Sequence, residues 1–166
     1  MPWPPYRGDK LKIYNLAQRL CTRHELHLLT FAQTKEELTY ATELEKLFKK
    51  VTIIYLPKWQ SVLNCVAGLW NDTPFQLLYF HSPALQRQLN TMLSDNQYDA
   101  IHVQHLRMSP YLAGRKDVAR ILDLPDAFSL YWERRKNVKR SIAVTIFENW
   151  EQKRVLKYEK VLKDYN

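Results

Sequence analysis

The sequence predicts an α/β protein with a mainly parallel sheet and helices on both faces. Short apolar runs typical of strands are separated by segments with helical spacing, an order that requires parallel strands joined by crossover helices. The chain has 166 residues, 46% of them apolar, which is enough to bury one core. With 3 glycines and no low-complexity run, disordered and fibrous classes are excluded. We therefore expect a single domain over residues 1–166.

The first segment is a proline-rich loop that leads into a helix. Pro4 and Pro5 fix φ and remove amide donors, and Gly8 can adopt backbone angles closed to other residues. Asp9 is predicted to be the N-cap of a helix whose apolar positions recur over residues 11–21. A glycine loop at a helix start is typical of phosphate binding, but it normally follows a buried strand. No such strand precedes it here, so the sheet is expected to lack its first, central strand.

The next elements follow in β-α-β order. Residues 25–31 form a short apolar run that predicts a strand. Thr34 and Glu37 match a capping box, which predicts a helix reaching about residue 48. A second strand is expected over residues 51–56, which are rich in β-branched residues.

The rest of the chain continues this alternation. Helices are expected over residues 59–70 and 82–95, the second with Ser82 as its cap and Pro83 at its first position. Strands are expected over residues 98–104 and 118–124. The last third is predicted to be helical. One side of that helix would carry Phe147, Trp150, Arg154, Tyr158, Val161 and Tyr165.

Cysteine usage and hydropathy favour a cytoplasmic protein. Cys21 and Cys65 lie in helical patterns without the spacing of a bridge or a metal site. The start of the chain does not have the order of a signal peptide, and no apolar run approaches the roughly 18 residues that span a bilayer. Peripheral attachment at the inner face of the membrane stays open.

The net charge of +8 is concentrated near the end of the sequence. Residues 133–163 carry ten lysines and arginines against four glutamates, hence +6. A solvated helical face explains this composition, and so does a surface for an anionic membrane or for nucleic acid. No nucleic-acid motif is present, so nucleic acid is not expected as a partner. The candidate membrane-facing residues are Arg134, Arg135, Lys136, Lys139 and Arg140.

Two polar groups follow the predicted strands, at the edge where parallel sheets bind ligands. His105 lies at or just past the end of the third strand and can exchange hydrogen bonds with a bound hydroxyl near neutral pH. His102 is interpreted as a packing residue, and the His-x-x-His pair lacks a third metal ligand. After the fourth strand, Asp123 is interpreted as structural, while Asp126 either binds a substrate hydroxyl or caps the next helix.

Four segments in this order resemble the amino-terminal half of family 4 glycosyltransferases, closest to the bacterial enzymes of polysaccharide synthesis. They are Pro-Pro-x-x-Gly-Asp-Lys-x-x-x-Tyr-Asn-Leu at 4–16, His-Glu-Leu-His-Leu-Leu-Thr-Phe at 24–31, Tyr-Asp-Ala-Ile-His-Val-Gln-His at 98–105 and Ile-Leu-Asp-Leu-Pro-Asp at 121–126. The resemblance covers nearly the whole chain.

The resemblance implies a fold of two Rossmann-like domains, of which this chain is the acceptor side. Gly8, with Asp9 and Lys10 beside it, would approach the donor diphosphate. The family's histidine near the transferred sugar falls by strict spacing on Gln104, with His105 one residue later. An aspartate matching Asp126 follows the next strand in many members.

The activity implied is transfer with retention from a nucleotide-sugar co-substrate to a saccharide or lipid-linked saccharide. No cofactor and no metal is implied. The family's Glu-x7-Glu pair belongs to a carboxyl-terminal donor domain, in the same or a partner chain, and the same spacing at Glu151 and Glu159 is interpreted as coincidence. We expect this chain to be inactive alone. A non-catalytic binding module, or a partner subunit with a basic surface, is the alternative.

Overall fold

The computed structural model describes residues 1–124 and 141–162, which divide into two compact units. The first comprises Met1–Gln60 with Ser82–Met92, and the second comprises Ser61–His81 with the chain from Leu93 onward. Both contain a pair of parallel strands. The predicted α/β class with parallel strands is confirmed, and it is consistent with a partial Rossmann-like fold.

The first unit is built on strands β1 and β2. In chain order its elements are α1 (Gly8–Leu20), β1 (His27–Ala32), α2 (Lys35–Leu38), α3 (Ala41–Leu44), β2 (Lys50–Tyr55), the start of α4 (Lys58–Ala67) and most of α6 (Pro83–Asp95). The strands pair in register from His27 with Lys50 to Ala32 with Tyr55. α2 and α3 form the crossover between them, as the sequence predicts for a β-α-β unit.

Two details of the first unit differ from the sequence prediction. Asp9 is not the N-cap of α1: Arg7 has the extended backbone of a cap residue, and Asp9 lies in the first helical turn. The helix expected to reach residue 48 is two one-turn helices, although the capping box of Thr34 and Glu37 is present. The Thr39 hydroxyl donates to the Glu36 carbonyl at 2.7 Å, where α2 ends.

The core of the first unit lies between α1, α3 and the start of β2. Ala17, Leu44 and Phe48 are buried there. Partly buried side chains pack around them, namely Met1, Trp3, Leu26, Leu28, Leu47 and Val51. Ser82 caps α6 as predicted, since its hydroxyl accepts from the Leu85 amide at 3.3 Å.

The second unit is built on strands β3 and β4. Its elements are the rest of α4, α5 (Phe75–Tyr79), the end of α6, β3 (Ala100–Gln104), a 3₁₀ helix (Leu106–Leu112), β4 (Ala119–Asp123) and α7 (Ile142–Val161). The strands pair in register from Ala100 with Ala119 to Gln104 with Asp123. The sequence did not predict α5 or the 3₁₀ helix. Among the described residues the strands form two separate two-stranded sheets, one in each unit.

Helix α7 is held to the loop between α4 and α5 by a buried arginine. Arg154 is 3% exposed, and its guanidinium donates to the carbonyls of Gly68, at 3.0 Å, and Asn71. The same group lies over the rings of Phe75, at 4.8 Å, and Trp150, at 4.2 Å. The interpretation of the basic segment as a solvated face is therefore wrong for Arg154, which belongs to the interior of the unit.

Glu151 is the buried counter-charge of Arg154. One of its carboxylate oxygens accepts from the Phe75 amide at 2.7 Å, and the other lies 3.6 Å from Nη1 of Arg154. Burial raises the pKa of Glu151, although the Phe75 amide and Arg154 act in the opposite direction. Nearby, Lys157 pairs with Asp72 at the surface. The charged residues of α7 thus fix both ends of one loop.

We predict that Arg154→Met lowers the free energy of unfolding by about 3 kcal/mol, because it leaves the Glu151 carboxylate buried and unpaired. Two loop carbonyls also lose their donor. Lys157→Met is the matched control: it removes a cation from the same helix, but its ion pair is exposed and should contribute little. Urea denaturation of both variants measures the difference, and equal stabilities would contradict a structural role for Arg154.

Candidate functional site

The polar residues predicted at the strand ends lie together at the carboxyl end of β3 and β4. Gln104 and Asp123 are the last paired residues of the two strands. Beyond them the His105 amide donates to the Asp123 carbonyl at 2.9 Å, which extends the parallel ladder by one step. The 3₁₀ helix begins at the next residue. The pairing therefore brings His105, Gln104 and Asp123 to one edge of the sheet, where parallel α/β sheets bind ligands.

The backbone of His105 is strained. Its φ of 72° and ψ of 148° fall in a region that glycine occupies and other residues rarely adopt. Among the described residues it is the one non-glycine residue with a positive φ. Its carbonyl accepts from the Met108 amide at 3.1 Å, so hydrogen bonds on both sides hold this conformation. Strain of this kind persists where the surrounding structure fixes it, and it clusters at binding and catalytic sites.

His102 and Asp123 form a polar pair on one face of the same sheet. Nε2 of His102 lies 3.6 Å from Oδ2 of Asp123, and the Asp123 side chain is the more buried of the two. His102 precedes Gln104 by two residues, so both project from the same face of β3. The interpretation of His102 as a packing residue is wrong, since it is exposed. At this distance the two groups form an ion pair when the imidazole is protonated.

A second polar contact supports the start of the 3₁₀ helix. Ser109 is fully buried, and its hydroxyl donates to the Leu106 carbonyl at 2.8 Å. The Tyr158 hydroxyl of α7 lies 3.1 Å from Oγ of Ser109. Burial raises the pKa of Tyr158, which keeps this phenol neutral. The residues that follow His105 are thereby fixed to the interior.

The predicted phosphate-handling loop lies in the first unit. Gly8 is the first residue of α1 and is exposed, with Asp9 and Lys10 in the same turn. Gly8 does not have a positive φ, and a Cβ added to it would meet nothing within 4 Å. The fold therefore does not require a glycine here. Nζ of Lys10 lies 5.1 Å from the centre of the Tyr6 ring, so the lysine is held over this loop.

Several predicted site residues lie outside the described residues. They are Asp126 and the basic residues Arg134, Arg135, Lys136, Lys139 and Arg140. In the ranges 1–124 and 141–162, no three His, Cys, Asp or Glu side chains gather as a metal site would require. Nor does a helix in those ranges have both the length and the apolar character to span a membrane.

The sequence reasoning missed the partnership of His102 with Asp123. Part of the signal was present, because both residues lie in predicted parallel strands and alternation puts His102 on the same face of its strand as Gln104. What the sequence lacked was the register, which pairs Gln104 with Asp123.

No family model, no curated protein and no solved structure matches the chain.

We predict that His105→Gly raises the free energy of unfolding by about 1 kcal/mol, because the relief of backbone strain exceeds the extra chain entropy of glycine. The matched control is His102→Gly, which makes the same change three residues earlier in a regular strand. It should lower stability, since glycine weakens a strand interior. Thermal unfolding of both variants measures whether each substitution raises or lowers the free energy of unfolding. A destabilised His105→Gly would contradict the strain inferred from φ.

Proposed function

We propose that this chain is the acceptor-side domain of a glycosyltransferase of the family 4 type. The reaction would transfer a sugar from a nucleotide-sugar donor to a saccharide or a lipid-linked saccharide. The proposal rests first on the four segments of sequence resemblance, which lie in order between residues 4 and 126. The parallel α/β architecture supports it, because such sheets place their ligands beyond the carboxyl ends of the strands.

The main support for the proposal is the strained backbone of His105 at the end of β3. A histidine occupies a backbone conformation in which glycine would cost less, and it does so at the sheet edge where a ligand is expected. Selection for stability alone favours glycine at such a position. A functional need for the imidazole explains why the strain is kept.

The neighbouring side chains suit the recognition of a sugar. A neutral imidazole offers one donor and one acceptor, and the Gln104 amide offers both as well. Asp123 adds acceptor oxygens, one of which lies 3.6 Å from Nε2 of His102. Sugar hydroxyls need donors and acceptors in fixed directions, and this group supplies them from two adjacent strands. We therefore assign His105 and Gln104 to the sugar hydroxyls, with Asp126 as a further ligand of the same kind.

The donor side of the reaction involves the start of α1. Backbone amides at a helix N-terminus favour phosphate, and Gly8 leaves room in front of them. In the proposed reaction the bond from the anomeric carbon to the diphosphate breaks and a bond from that carbon to the acceptor oxygen forms. The acceptor hydroxyl gives up its proton to the departing nucleoside diphosphate. A donor-binding domain, in the same or a partner chain, would hold the nucleotide.

Saccharide binding tests the role of His105. We expect saturation-transfer NMR with a panel of methyl glycosides to find a ligand whose affinity falls about tenfold in His105→Gly, the loss of one good hydrogen bond. His105→Asn keeps a polar side chain but removes the ring, so it tests the imidazole itself. His81→Ala removes an exposed histidine elsewhere and serves as the control. The proposal is overturned if no glycoside binds, or if His105→Gly binds as the wild type does.

The donor loop is tested by Gly8→Ala in the protein that carries both domains. Alanine favours the helix and meets no neighbour, so the thermal midpoint should stay the same or rise. The added methyl would stand between the amides and a diphosphate, so the KM for the nucleotide sugar should increase. Leu11→Ala, an exposed change in the same helix, is the control. An unchanged KM in Gly8→Ala would remove the loop from the donor site.

A further inference from the structure

Arg107 lies in the same turn as the strained His105. The Met108 amide donates to the His105 carbonyl at 3.1 Å, which closes a turn over residues 105–108. The two ends of such a turn lie within about 7 Å of each other, so Arg107 is close to the carboxyl end of β3. Leu106, between the two residues, is fully buried, whereas Arg107 is partly exposed. An arginine therefore leaves the backbone at the edge of the sheet where His105 is assigned to sugar hydroxyls.

The guanidinium of Arg107 is held over an aromatic ring. Its Cζ lies 4.6 Å from the centre of the Phe80 ring, which is a cation–π contact. The Tyr79 ring packs edge-to-face with the Phe80 ring, with centroids 5.1 Å apart. The Tyr111 hydroxyl donates to the Phe80 carbonyl at 2.5 Å and fixes the end of α5 to the 3₁₀ helix. The ring beneath the guanidinium is thus itself held by two neighbours.

A guanidinium that stacks on a ring uses its face for that contact, while its N–H bonds lie in its plane. Its five donors form a rigid fork that matches two oxygens of a carboxylate or a phosphate, and they can serve more than one acceptor. Because Phe80 already holds the Arg107 side chain, less side-chain entropy is lost when an anion binds. The geometry therefore favours a bidentate contact between Arg107 and an anionic group.

The charge of the elements that pack together at this edge is compatible with an anion. Arg107 is the one charged residue of the 3₁₀ helix, and α5 and β3 contain no lysine, arginine, aspartate or glutamate. β4 contributes Arg120 and Asp123. The Arg120 guanidinium donates to the Leu112 carbonyl at 2.9 Å, at the end of the same 3₁₀ helix. Two arginines against one aspartate leave these four elements with a positive charge.

We propose that Arg107 binds an anionic group of the saccharide acceptor, a carboxylate or a phosphate, while His105 and Gln104 bind its hydroxyls. This role rests on the proposed function and narrows it from saccharides in general to acidic saccharides. Phe80 is a positioning residue, because it acts by holding the guanidinium. A uronic acid would supply the carboxylate. A sugar phosphate, or the phosphate that links a saccharide to a lipid, would supply the phosphate.

The test measures how the chain discriminates an acidic glycoside from its neutral parent. Saturation-transfer NMR titrations compare each neutral methyl glycoside of the panel with its uronic acid and with its 6-phosphate. Wild type should bind an acidic member about tenfold more tightly than the neutral parent, as expected for a charge-assisted hydrogen bond. Salt should reduce this preference, because the contact is ionic. The tighter of the two acidic members identifies the source of the anion.

Variants at the stacked pair assign the preference to Arg107. Arg107→Met removes the charge at similar length, so the acidic preference should disappear while binding of the neutral parent persists. Arg107→Lys should keep only part of it, because lysine lacks the planar fork. Phe80→Leu keeps the charge but removes the ring that holds it, and it should also reduce the preference. Arg115→Met is the matched control: it makes the same change in net charge at an arginine that pairs with Asp117 beyond the 3₁₀ helix.

Equal binding of neutral and acidic glycosides by the wild type would overturn the acidic specificity and leave the proposed sugar site unaffected. An acidic preference that persists in Arg107→Met would do the same. Inorganic phosphate should bind more weakly than the glycoside phosphate, because it lacks the sugar hydroxyls, and equal affinity would overturn the assignment to a saccharide. If no glycoside binds at all, the proposed function fails together with this role. Thermal unfolding checks that each variant folds, and the ratio of affinities is measured within one variant.

Discussion

A single backbone hydrogen bond, from the His105 amide to the Asp123 carbonyl, organises the polar edge of the second unit. It continues the parallel ladder one step past Gln104, while the chain must turn at once into the 3₁₀ helix. In this structure both demands are met with a positive φ at residue 105. The strain is a consequence of topology, and what is informative is that the residue bearing it is histidine. Glycine would satisfy the backbone at lower cost.

The second unit also depends on one buried ion pair. Arg154 and Glu151 bring the interior of α7 against a loop whose carbonyls and amide would otherwise lack partners. Because that loop ends α4, the same contacts determine which side of α4 faces the solvent. The interior of the unit is therefore partly polar and its surface partly apolar.

Much of this fold could be predicted from the sequence, because local signals decide it. The capping box at Thr34, the cap at Ser82 and the β-branched run of β2 each specify an element without reference to the rest of the chain. The elements that were missed, α5 and the 3₁₀ helix, are too short for their periodicity to be recognised. The helix expected up to residue 48 was divided because a threonine hydroxyl competes for a helical carbonyl.

The sequence predicted where the candidate site lies, at the carboxyl ends of the strands, but not how its side chains pair. Because His105 and Gln104 lie at the end of a predicted parallel strand, the sequence alone put them at the edge of the sheet where ligands bind. The pairing of His102 with Asp123 depends on register, and the burial of Arg154 depends on a contact between residues far apart in the chain. One hint for Arg154 was available, because it shares a helical side with Phe147, Trp150 and Tyr158. The high positive charge of the segment nevertheless favours a surface position.

The most direct test of the proposed sugar site is NMR of the chain with labelled histidines. The sequence has 5 histidines, of which two lie at the end of β3. Titration with the glycoside that binds best should shift the ring resonances of His102 and His105 and leave those of His24, His27 and His81 unchanged. The opposite pattern, or a uniform response of all the rings, would contradict a sugar site at the carboxyl end of β3 and β4.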